Sequence, residues 1–343
     1  MSKKILVTGG TGYIGSHTVV ELQEAGYEVV IIDNLSNSNE DVLDGIVNIT
    51  GKRPLFYNID CTDINSLTTL FNEQTFDGII HFAASKAVGE SVQKPLLYYR
   101  NNLISLINLL ELMPQHNVKG IVFSSSCTVY GEPDSNPIDE NAPIKPAASP
   151  YGNSKQINEE IIKDFIHSGA DIKSVILRYF NPIGAHPSAH IGELPIGVPQ
   201  NLVPYITQTG IGIREQLSVF GDDYNTPDGS CIRDFINVVD LAKAHVVAIE
   251  RMLENKSDEK VEIFNLGTGI GVSVLELISL FEKISGSSLN YKIVERREGD
   301  IEKIWAQPDK ANKILGWKAE ESIEDTMESA WKWQLRLREK GLM

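Results

Sequence analysis

The chain of 343 residues carries 31 lysines and arginines against 46 aspartates and glutamates, which gives a formal net charge of −15. This excess of negative charge opposes nonspecific binding to nucleic acids and to anionic membranes, so we expect neither as a partner. Hydrophobic residues make up 42% of the sequence and charged residues 22%, as in ordinary globular proteins. No apolar run approaches the ~18 residues that a transmembrane helix requires.

The N-terminus and the cysteines predict the cellular compartment. The start MSKK leads directly into ILVTGG, and so short an apolar run does not form the core of a signal peptide. Cys61, Cys127 and Cys231 are odd in number, far apart and not in C-x-x-C spacing, which argues against disulfides and against a zinc site. We therefore expect a cytoplasmic protein that binds no metal.

The first predicted elements are a strand, a glycine turn, an amphipathic helix and a second strand that ends at Asp33. Gly10, Gly12 and Gly15 fit G-x-G-x-x-G, and Gly9 opens the wider spacing G-x-x-G-x-x-G. Such glycines allow a tight turn, close approach of backbone N–H groups to a pyrophosphate, and close packing of helix on strand. A carboxylate at Asp33 accepts hydrogen bonds from an adenosine ribose and repels a 2′-phosphate. The pattern predicts dinucleotide binding, with NAD favoured over NADP.

Strand-like and helix-like segments alternate through about residue 180. The apolar runs that read as strands lie near 4–9, 28–33, 54–59, 77–83, 119–125 and 172–180. Continuous apolar runs are typical of parallel strands that are buried on both faces. We therefore predict an α/β fold with a doubly wound parallel sheet of the Rossmann type, and a ligand beyond the carboxyl ends of its strands.

The composition of the sequence changes at about residue 181. The segment that begins there is rich in Pro and Gly and has no extended hydrophobic periodicity, which predicts an elaborate loop region. Helical stretches return at 237–254, 273–285 and 322–338, with short strands at 261–266 and 290–294. We predict an NAD-binding domain at 1–180 with returning segments from about 237–268. Residues 181–343 then form a smaller, mixed and mainly substrate-binding region, intermixed with the first.

Ser126, Tyr151 and Lys155 are the candidate catalytic residues. Tyr151 and Lys155 stand four positions apart at the start of a predicted helix, so the phenol and the ammonium share one face. A nearby cation favours phenolate over phenol and lowers the tyrosine pKa toward the working pH, where the side chain acts as a general acid or base. Each of the three residues, considered alone, could instead have a structural role.

Segments from both halves of the chain carry a resemblance to a known family. They are TGGTGYIGSHT, HFAASKAVGESVQKPLLYY, FSSSCTVYG, SPYGNSK, LRYFNPIGAHPS, NLVPY, GDDYNTPDGSCIRDFI, FNLGTG and RREGD. Through them the chain resembles the extended short-chain dehydrogenase/reductase superfamily and, within it, the UDP-glucose 4-epimerase family. The resemblance implies interconversion of UDP-galactose and UDP-glucose through a 4-keto intermediate, with tightly retained NAD.

The resemblance also implies roles for individual residues. Tyr151 is expected to take the proton from O4 of the hexose. Lys155 is expected to lower the pKa of Tyr151 and to form a hydrogen bond with the nicotinamide ribose, and Ser126 to form one with O4. Cofactor contacts are expected at Gly9, Gly12, Tyr13, Ile14, Gly15, Asp33, Asn34, Leu35, Ser36, Asn37, Ser38, Asp60, Cys61, Phe82, Ala83, Ala84, Lys86, Asn101, Ser126, Tyr151, Lys155 and Phe180. Substrate contacts are expected at Lys86, Ser126, Tyr151, Asn181, Asn201, Val219, Phe220, Arg233, Arg297, Asp300 and Ile304.

Two further expectations come from the resemblance. Relatives restricted to glucose and galactose carry Tyr at the position of Ile304, so the smaller side chain predicts additional conversion of N-acetylated UDP-hexoses. Relatives commonly form homodimers through two helices, which correspond here to 91–113 and 150–168.

Several alternatives remain open at this point. A nucleotide-sugar 4,6-dehydratase needs an Asp-Glu pair after the catalytic hydroxyl, where this chain has Cys127 and Thr128. A UDP-sugar decarboxylase usually carries an acid in the same turn, and a non-catalytic NAD-binding scaffold typically loses the tyrosine or the lysine. The two arginines expected on the substrate diphosphate, Arg233 and Arg297, could instead form surface ion pairs with Asp234 and Glu298.

Overall fold

The computed structural model describes residues 2–297 and 299–342. The strands are β1 Lys4–Thr8, β2 Glu28–Asp33, β3 Leu55–Asn58, β4 Gly78–His81, β5 Gly120–Ser124, β6 Lys173–Tyr179, β7 Asn181–Ile183, β8 Leu217–Phe220, β9 Ile232–Arg233, β10 Phe235–Asn237, β11 Val261–Leu266, β12 Val272–Ser273, β13 Tyr291–Val294 and β14 Lys303–Ile304. The helices are α1 Tyr13–Glu24, α2 Val42–Thr50, α3 Ile64–Glu73, α4 Val88–Gln93, α5 Pro95–Gln115, α6 Pro150–His167, α7 Leu202–Gly210, α8 Val238–Leu253, α9 Val274–Ser285 and α10 Ile323–Glu339. A 3-10 turn covers Cys127–Tyr130, and a π-helical turn covers Ala311–Leu315.

The central sheet has seven strands in the order β11-β6-β5-β4-β1-β2-β3, and every neighbouring pair is parallel. The prediction of a doubly wound parallel sheet is therefore confirmed. The chain order reverses between β1 and β4, which lie side by side in the sheet. In open α/β sheets a ligand binds in the crevice at this reversal point, beyond the carboxyl ends of the strands.

The core forms because strand side chains alternate between the two faces of the sheet. Ile5 and Val7 of β1 point into one cluster, which α1, α2 and α8 cover. Leu6 points into the opposite cluster, which α3, α5 and α6 cover.

A third cluster lies outside the sheet, where α7, α9 and α10 pack against β8 and β10. Here the structure differs from the predicted loop region, because NLVPY begins a helix at Leu202 rather than a loop. Val203 and Ile206 of α7 are buried against Leu277 and Phe281 of α9. Tertiary burial thus organises a segment that has little periodicity of its own.

The described residues lack two features. No helix in residues 2–297 and 299–342 is long and apolar enough to cross a membrane. The same residues contain no group of three or more histidine, cysteine or acidic side chains arranged to hold a metal ion.

Candidate active site

The glycine turn joins β1 to α1 at the reversal point of the sheet. Gly9 has a positive φ of 70°. A Cβ at Gly15 would lie 2.2 Å from the carbonyl oxygen of Gly9, so a larger residue would force the turn open. Helix α1 begins at Tyr13, and its N-cap, Gly12, provides no side-chain hydrogen bond. The N-terminal N–H groups of α1 therefore have no side-chain cap, and such groups at a helix N-terminus can bind a phosphate.

Asp33 lies at the end of β2, next to this turn. One carboxylate oxygen accepts a hydrogen bond from Thr11 N at 3.3 Å, and the other accepts from Leu35 N at 2.9 Å and from Ser38 Oγ at 3.0 Å. These bonds fix the carboxylate between the glycine turn and the loop 34–38. An ionised carboxylate has about four acceptor positions, so Asp33 retains capacity for a ligand hydroxyl.

The loop after β4 lies directly against the glycine turn. Phe82 N donates to Thr8 O at 3.1 Å, and Ala83 N donates to Thr8 Oγ1 at 3.2 Å. His81 Nδ1 lies 2.7 Å from the same hydroxyl, and burial lowers the pKa of His81 to about 3. The imidazole is therefore neutral, as expected for a structural residue.

The remaining residues predicted to contact the cofactor lie around these two loops. Asp60 accepts a hydrogen bond from Asn34 Nδ2 at 2.9 Å. Burial raises the pKa of the neighbouring Cys61 thiol, so Cys61 behaves as a small apolar side chain. Asn101 Nδ2 donates to Ser85 Oγ at 3.0 Å, which places Asn101 beside the loop 82–86.

Helix α6 presents Tyr151 and Lys155 to the turn that follows β5. The helix is well defined at its start, because Ser149 caps it through Gly152 N and Pro150 occupies its first turn. Lys155 Nζ donates to Ser124 O at 2.7 Å and lies 5.9 Å from the ring centroid of Tyr151. Tyr151, Lys155 and Ser126 are all buried.

Burial dominates the electrostatics of this group. It raises the pKa of Tyr151, an effect that the nearby Tyr179 increases and a hydrogen bond with Ser126 opposes. It also lowers the pKa of Lys155 to about 8, against the opposing charge of Glu159. The predicted lowering of the Tyr151 pKa is therefore not the net effect of the protein groups, because burial raises this pKa by more than Ser126 lowers it.

The inner part of the predicted substrate site is a small apolar cluster. Ile304, which is 2% exposed, packs with Cys127 and Phe180. Strand β14 pairs with β9 so that Ile304 lies opposite Arg233. The structure thus brings Phe180, Ile304 and Arg233 close to the turn that carries Ser126.

The outer part joins β8 to the loop after β13. The guanidinium of Arg297 lies 5.2 Å from the ring centroid of Phe220, and Nη2 donates to Asp300 at 2.7 Å. Arg297 thus has an acidic partner, but one different from the predicted Glu298, which lies outside the described residues. Asp234 does not pair with Arg233, since its carboxylate accepts N–H groups of residues 268, 269 and 306.

An acid that the sequence analysis missed links two other predicted residues. Glu193 Oε1 accepts a hydrogen bond from Asn201 Nδ2 at 2.6 Å and lies 3.5 Å from Lys86 Nζ. Asn181 lies on β7, where its backbone N–H donates to Asp234 O at 2.9 Å. Tyr13 OH reaches the same segment through a hydrogen bond to Gly184 O at 2.6 Å. The glycine turn is therefore tied directly to the second region.

The structure also reveals a buried pair that spacing alone did not indicate, Glu159 and Arg178. Arg178 donates to both carboxylate oxygens of Glu159, at 2.9 and 2.6 Å. Glu159 follows Lys155 by one helical turn, and that spacing is the signal that could have identified it.

Comparisons with known proteins identify the family of the chain. A family model described as GDP-mannose 4,6 dehydratase matches residues 6–330. The chain is 50% identical over 330 residues to UDP-glucose 4-epimerase of Bacillus subtilis, covering 96% of both chains. It is 50% identical over 340 residues to UDP-glucose 4-epimerase of Bos taurus, covering 97% of both.

Solved structures of UDP-glucose 4-epimerases are also similar to this chain. One is UDP-glucose 4-epimerase from Bifidobacterium longum in complex with NAD+ and UDP. It has a TM-score of 0.93 and 47% identity, with coverage of 97% of this chain and 98% of that chain. The enzyme from Stenotrophomonas maltophila, with bound NAD and formylated UDP-arabinopyranose, has a TM-score of 0.95 and 45% identity, with coverage of 98% and 99%.

Proposed function

Because this chain belongs to the UDP-glucose 4-epimerase family of the extended short-chain dehydrogenases/reductases, we propose that it interconverts UDP-galactose and UDP-glucose. The reaction is a transient, NAD-dependent oxidation at C4 of the hexose through a 4-keto intermediate. The observation that supports it is the convergence of Ser126, Tyr151 and Lys155 in one buried group at the carboxyl end of β5.

The residues around the reversal point of the sheet fit NAD. The glycine turn leaves no room for side chains where a pyrophosphate approaches helix α1. A 2′-phosphate would bring a second negative charge against Asp33, so NAD is favoured over NADP. Asp60 and Cys61 would meet the adenine, and Phe82, Ala83, Ala84, Lys86, Asn101 and Phe180 would line the rest. Bound NAD supplies the acceptor and the donor of the hydride at C4.

The protein groups handle the O4 proton. As the phenolate, Tyr151 accepts this proton during oxidation of the hexose, and as the phenol it returns the proton during reduction, while Ser126 forms a hydrogen bond with O4. Lys155 supplies the positive charge that a buried phenolate requires. Burial of all three keeps bulk water away from the proton transfer.

The name of the matched family model raises the dehydratase alternative, which the residues after Ser126 disfavour. Elimination of water needs an acid and a base, and these positions carry Cys127 and Thr128. Burial raises the pKa of the Cys127 thiol to about 12, so it is not a base at neutral pH.

The test uses purified protein and UDP-galactose with no added NAD. We expect UDP-glucose to form, because a cofactor that is regenerated in each cycle stays bound. A dehydratase would instead form a 4-keto-6-deoxy sugar nucleotide, and a scaffold would leave UDP-galactose unchanged. Either result would refute the proposal.

The residues of β8, β9 and the loop after β13 support a binding site for the UDP moiety. Arg233 and Arg297 would hold the diphosphate, Asp300 the uridine ribose, and Val219 and Phe220 the uracil. Asn181 and Asn201 would hold the pyrophosphate and sugar. Because Arg297 is bonded to Asp300, binding of a diphosphate must replace or extend that ion pair.

The substrate range extends in our proposal to N-acetylated UDP-hexoses. Ile304 is shorter than the tyrosine of restricted relatives, and it packs beside Cys127 and Phe180. The branched Ile side chain is stiff, so some narrowing of the pocket remains. We expect slower conversion of UDP-N-acetylglucosamine alongside the main reaction, measured with the same enzyme preparation.

We further propose a homodimer formed through α5 and α6. Leu97, Ile104 and Ile107 lie along one side of α5 and are exposed, as is Leu96 at 77%. Exposed apolar side chains in a row on one helix are typical of an interface. The proposed setting is galactose metabolism in the cytoplasm, which is compatible with the free, buried Cys61, Cys127 and Cys231.

A further inference from the structure

Three consecutive serines, which begin at the last residue of β5, contact one face of α6. Ser124 O accepts the ammonium of Lys155 at 2.7 Å, and Ser125 Oγ donates to Glu159 Oε1 at 2.7 Å. The Ser126 side chain faces Tyr151 and lowers its pKa, against the effect of burial. Positions 151, 155 and 159 are four apart and therefore form a single stripe along the helix. Each serine of the segment 124–126 thus meets a different side chain of this stripe, and two of the three are held by hydrogen bonds.

Arg178 closes this arrangement from β6. It binds both carboxylate oxygens of Glu159, and the side chains of both residues are only 3% exposed. Its third nitrogen, Nη1, donates to Tyr130 OH at 2.9 Å, and Tyr130 OH donates to Asn265 Oδ1 at 2.7 Å. Tyr130 ends the 3-10 turn that begins directly after Ser126. The ion pair therefore fixes both ends of the turn 125–130.

We propose that Glu159, held by Arg178, is a positioning residue for the reaction, which keeps Lys155 charged and the Ser126 hydroxyl aimed at Tyr151. Neither residue of the pair touches the reacting atoms in this scheme. The expected effect of Glu159 on the reaction rate rests on the proposed function, whereas its effect on the charge of Lys155 does not.

The charges around Lys155 explain why Glu159 matters. The titratable groups that face it are Tyr151 and Glu159 on α6, and His81 at the end of β4. The pKa of His81 is lowered to about 3 by burial, so His81 is neutral, and Tyr151 is a phenol at rest. Glu159 is thus the carboxylate that opposes the lowering of the Lys155 pKa by burial. Its removal would also leave the Arg178 charge unpaired, which disfavours the ammonium further.

The direct test is an NMR titration of Lys155 in protein labelled at lysine Cε, with the signal assigned through Lys155→Arg. We expect a midpoint of about 8 in the wild type. In Glu159→Gln the midpoint should fall by about one unit, the lower end of the range for loss of a neighbouring opposite charge. The rate at pH 8 should then drop about fivefold, whereas the rate at pH 6.5 should change little, because most of Lys155 is still protonated there.

Glu159→Gln leaves a buried charge unpaired and could fail to fold, so Glu159→Gln combined with Arg178→Gln is the second variant. The matched control is Arg251→Gln with Glu262→Gln, because this pair is also joined by two hydrogen bonds, at 2.8 and 3.0 Å, and is partly buried. The control should lower the melting temperature without moving the Lys155 midpoint.

The outcomes separate the two proposals. If the Lys155 midpoint and the pH profile of the Glu159 variants equal those of the control, the pair is merely structural and the positioning role is refuted. An inactive wild type would refute the epimerase function, whereas the NMR midpoint would still decide the role of Glu159.

Discussion

Replacement of Lys155 by methionine removes an ammonium group that lies 5.9 Å from the ring centroid of Tyr151. At this distance, and with an effective dielectric constant of about 20, the attraction between the ammonium and a phenolate is about 3 kcal/mol. This energy corresponds to about two pKa units. We therefore expect about a hundredfold less phenolate at a given pH, and a similar fall in turnover at pH 7.

The pH profile carries the sign of the effect. In the wild type the rate should rise with pH as Tyr151 ionises and should level off above about pH 8, because Lys155, with its pKa lowered to about 8 by burial, then loses its charge. In Lys155→Met this levelling-off should vanish, and the rate should keep rising with pH as the unassisted Tyr151 ionises. The assay is the initial rate of UDP-glucose formation from UDP-galactose between pH 6 and 10.

Two controls make this test decisive. Lys332→Met removes an exposed lysine of α10 and should leave the profile unchanged. NAD released on denaturation is measured for each variant, because Lys155 is also expected to bond the nicotinamide ribose. A Lys155→Met enzyme with bound NAD and the wild-type pH profile would show that Lys155 does not assist Tyr151.

The other predictions test single residues of the site. Tyr151→Phe should retain fold and NAD yet lose ~10²–10⁴ in turnover, and near-normal rates would exclude it as the base. The cofactor released by denaturing the wild type should be NAD or NADH, and recovery of mainly NADP would contradict the role of Asp33. Ile304→Tyr should abolish the conversion of N-acetylated UDP-hexoses and spare the conversion of UDP-galactose. Ile304→Leu is the control for altered packing. If the wild type converts no N-acetylated UDP-hexose, Ile304 is only a packing residue. Ile104→Glu with Ile107→Glu should halve the mass measured by light scattering, whereas Leu55→Glu, also exposed, should not; an unchanged dimer would exclude the α5 interface.

The elements that the sequence predicted well are those with a strong local signal. All six strands predicted before residue 181 are present as β1–β6, within a few residues at each end. Five of them, all but β3 at the edge of the sheet, are apolar runs that are buried on both faces, so their environment could be inferred without their neighbours. The start of α6 was equally predictable, since Ser149 and Pro150 form a standard helix start.

The elements that were missed are short and depend on distant partners. Strand β9 has two residues and is held between β12 and β14, which lie far along the chain. Helix α7 exists because Val203 and Ile206 have an apolar surface to pack on. Neither condition is visible in a local window, since short elements gain most of their stability from tertiary contacts.

The active site shows the same limit at the level of charge. Spacing along α6 correctly places Lys155 beside Tyr151, and from spacing alone a lower tyrosine pKa follows. Burial reverses the balance, because it disfavours both the phenolate and the ammonium. In the proposed reaction, proton transfer at Tyr151 would therefore depend on every group that stabilises charge at this turn, including Ser126 and, in our proposal, the charge that Glu159 preserves on Lys155. A site built in this way has to be read as a network, since no one of its pairwise distances gives the sign of the pKa shift.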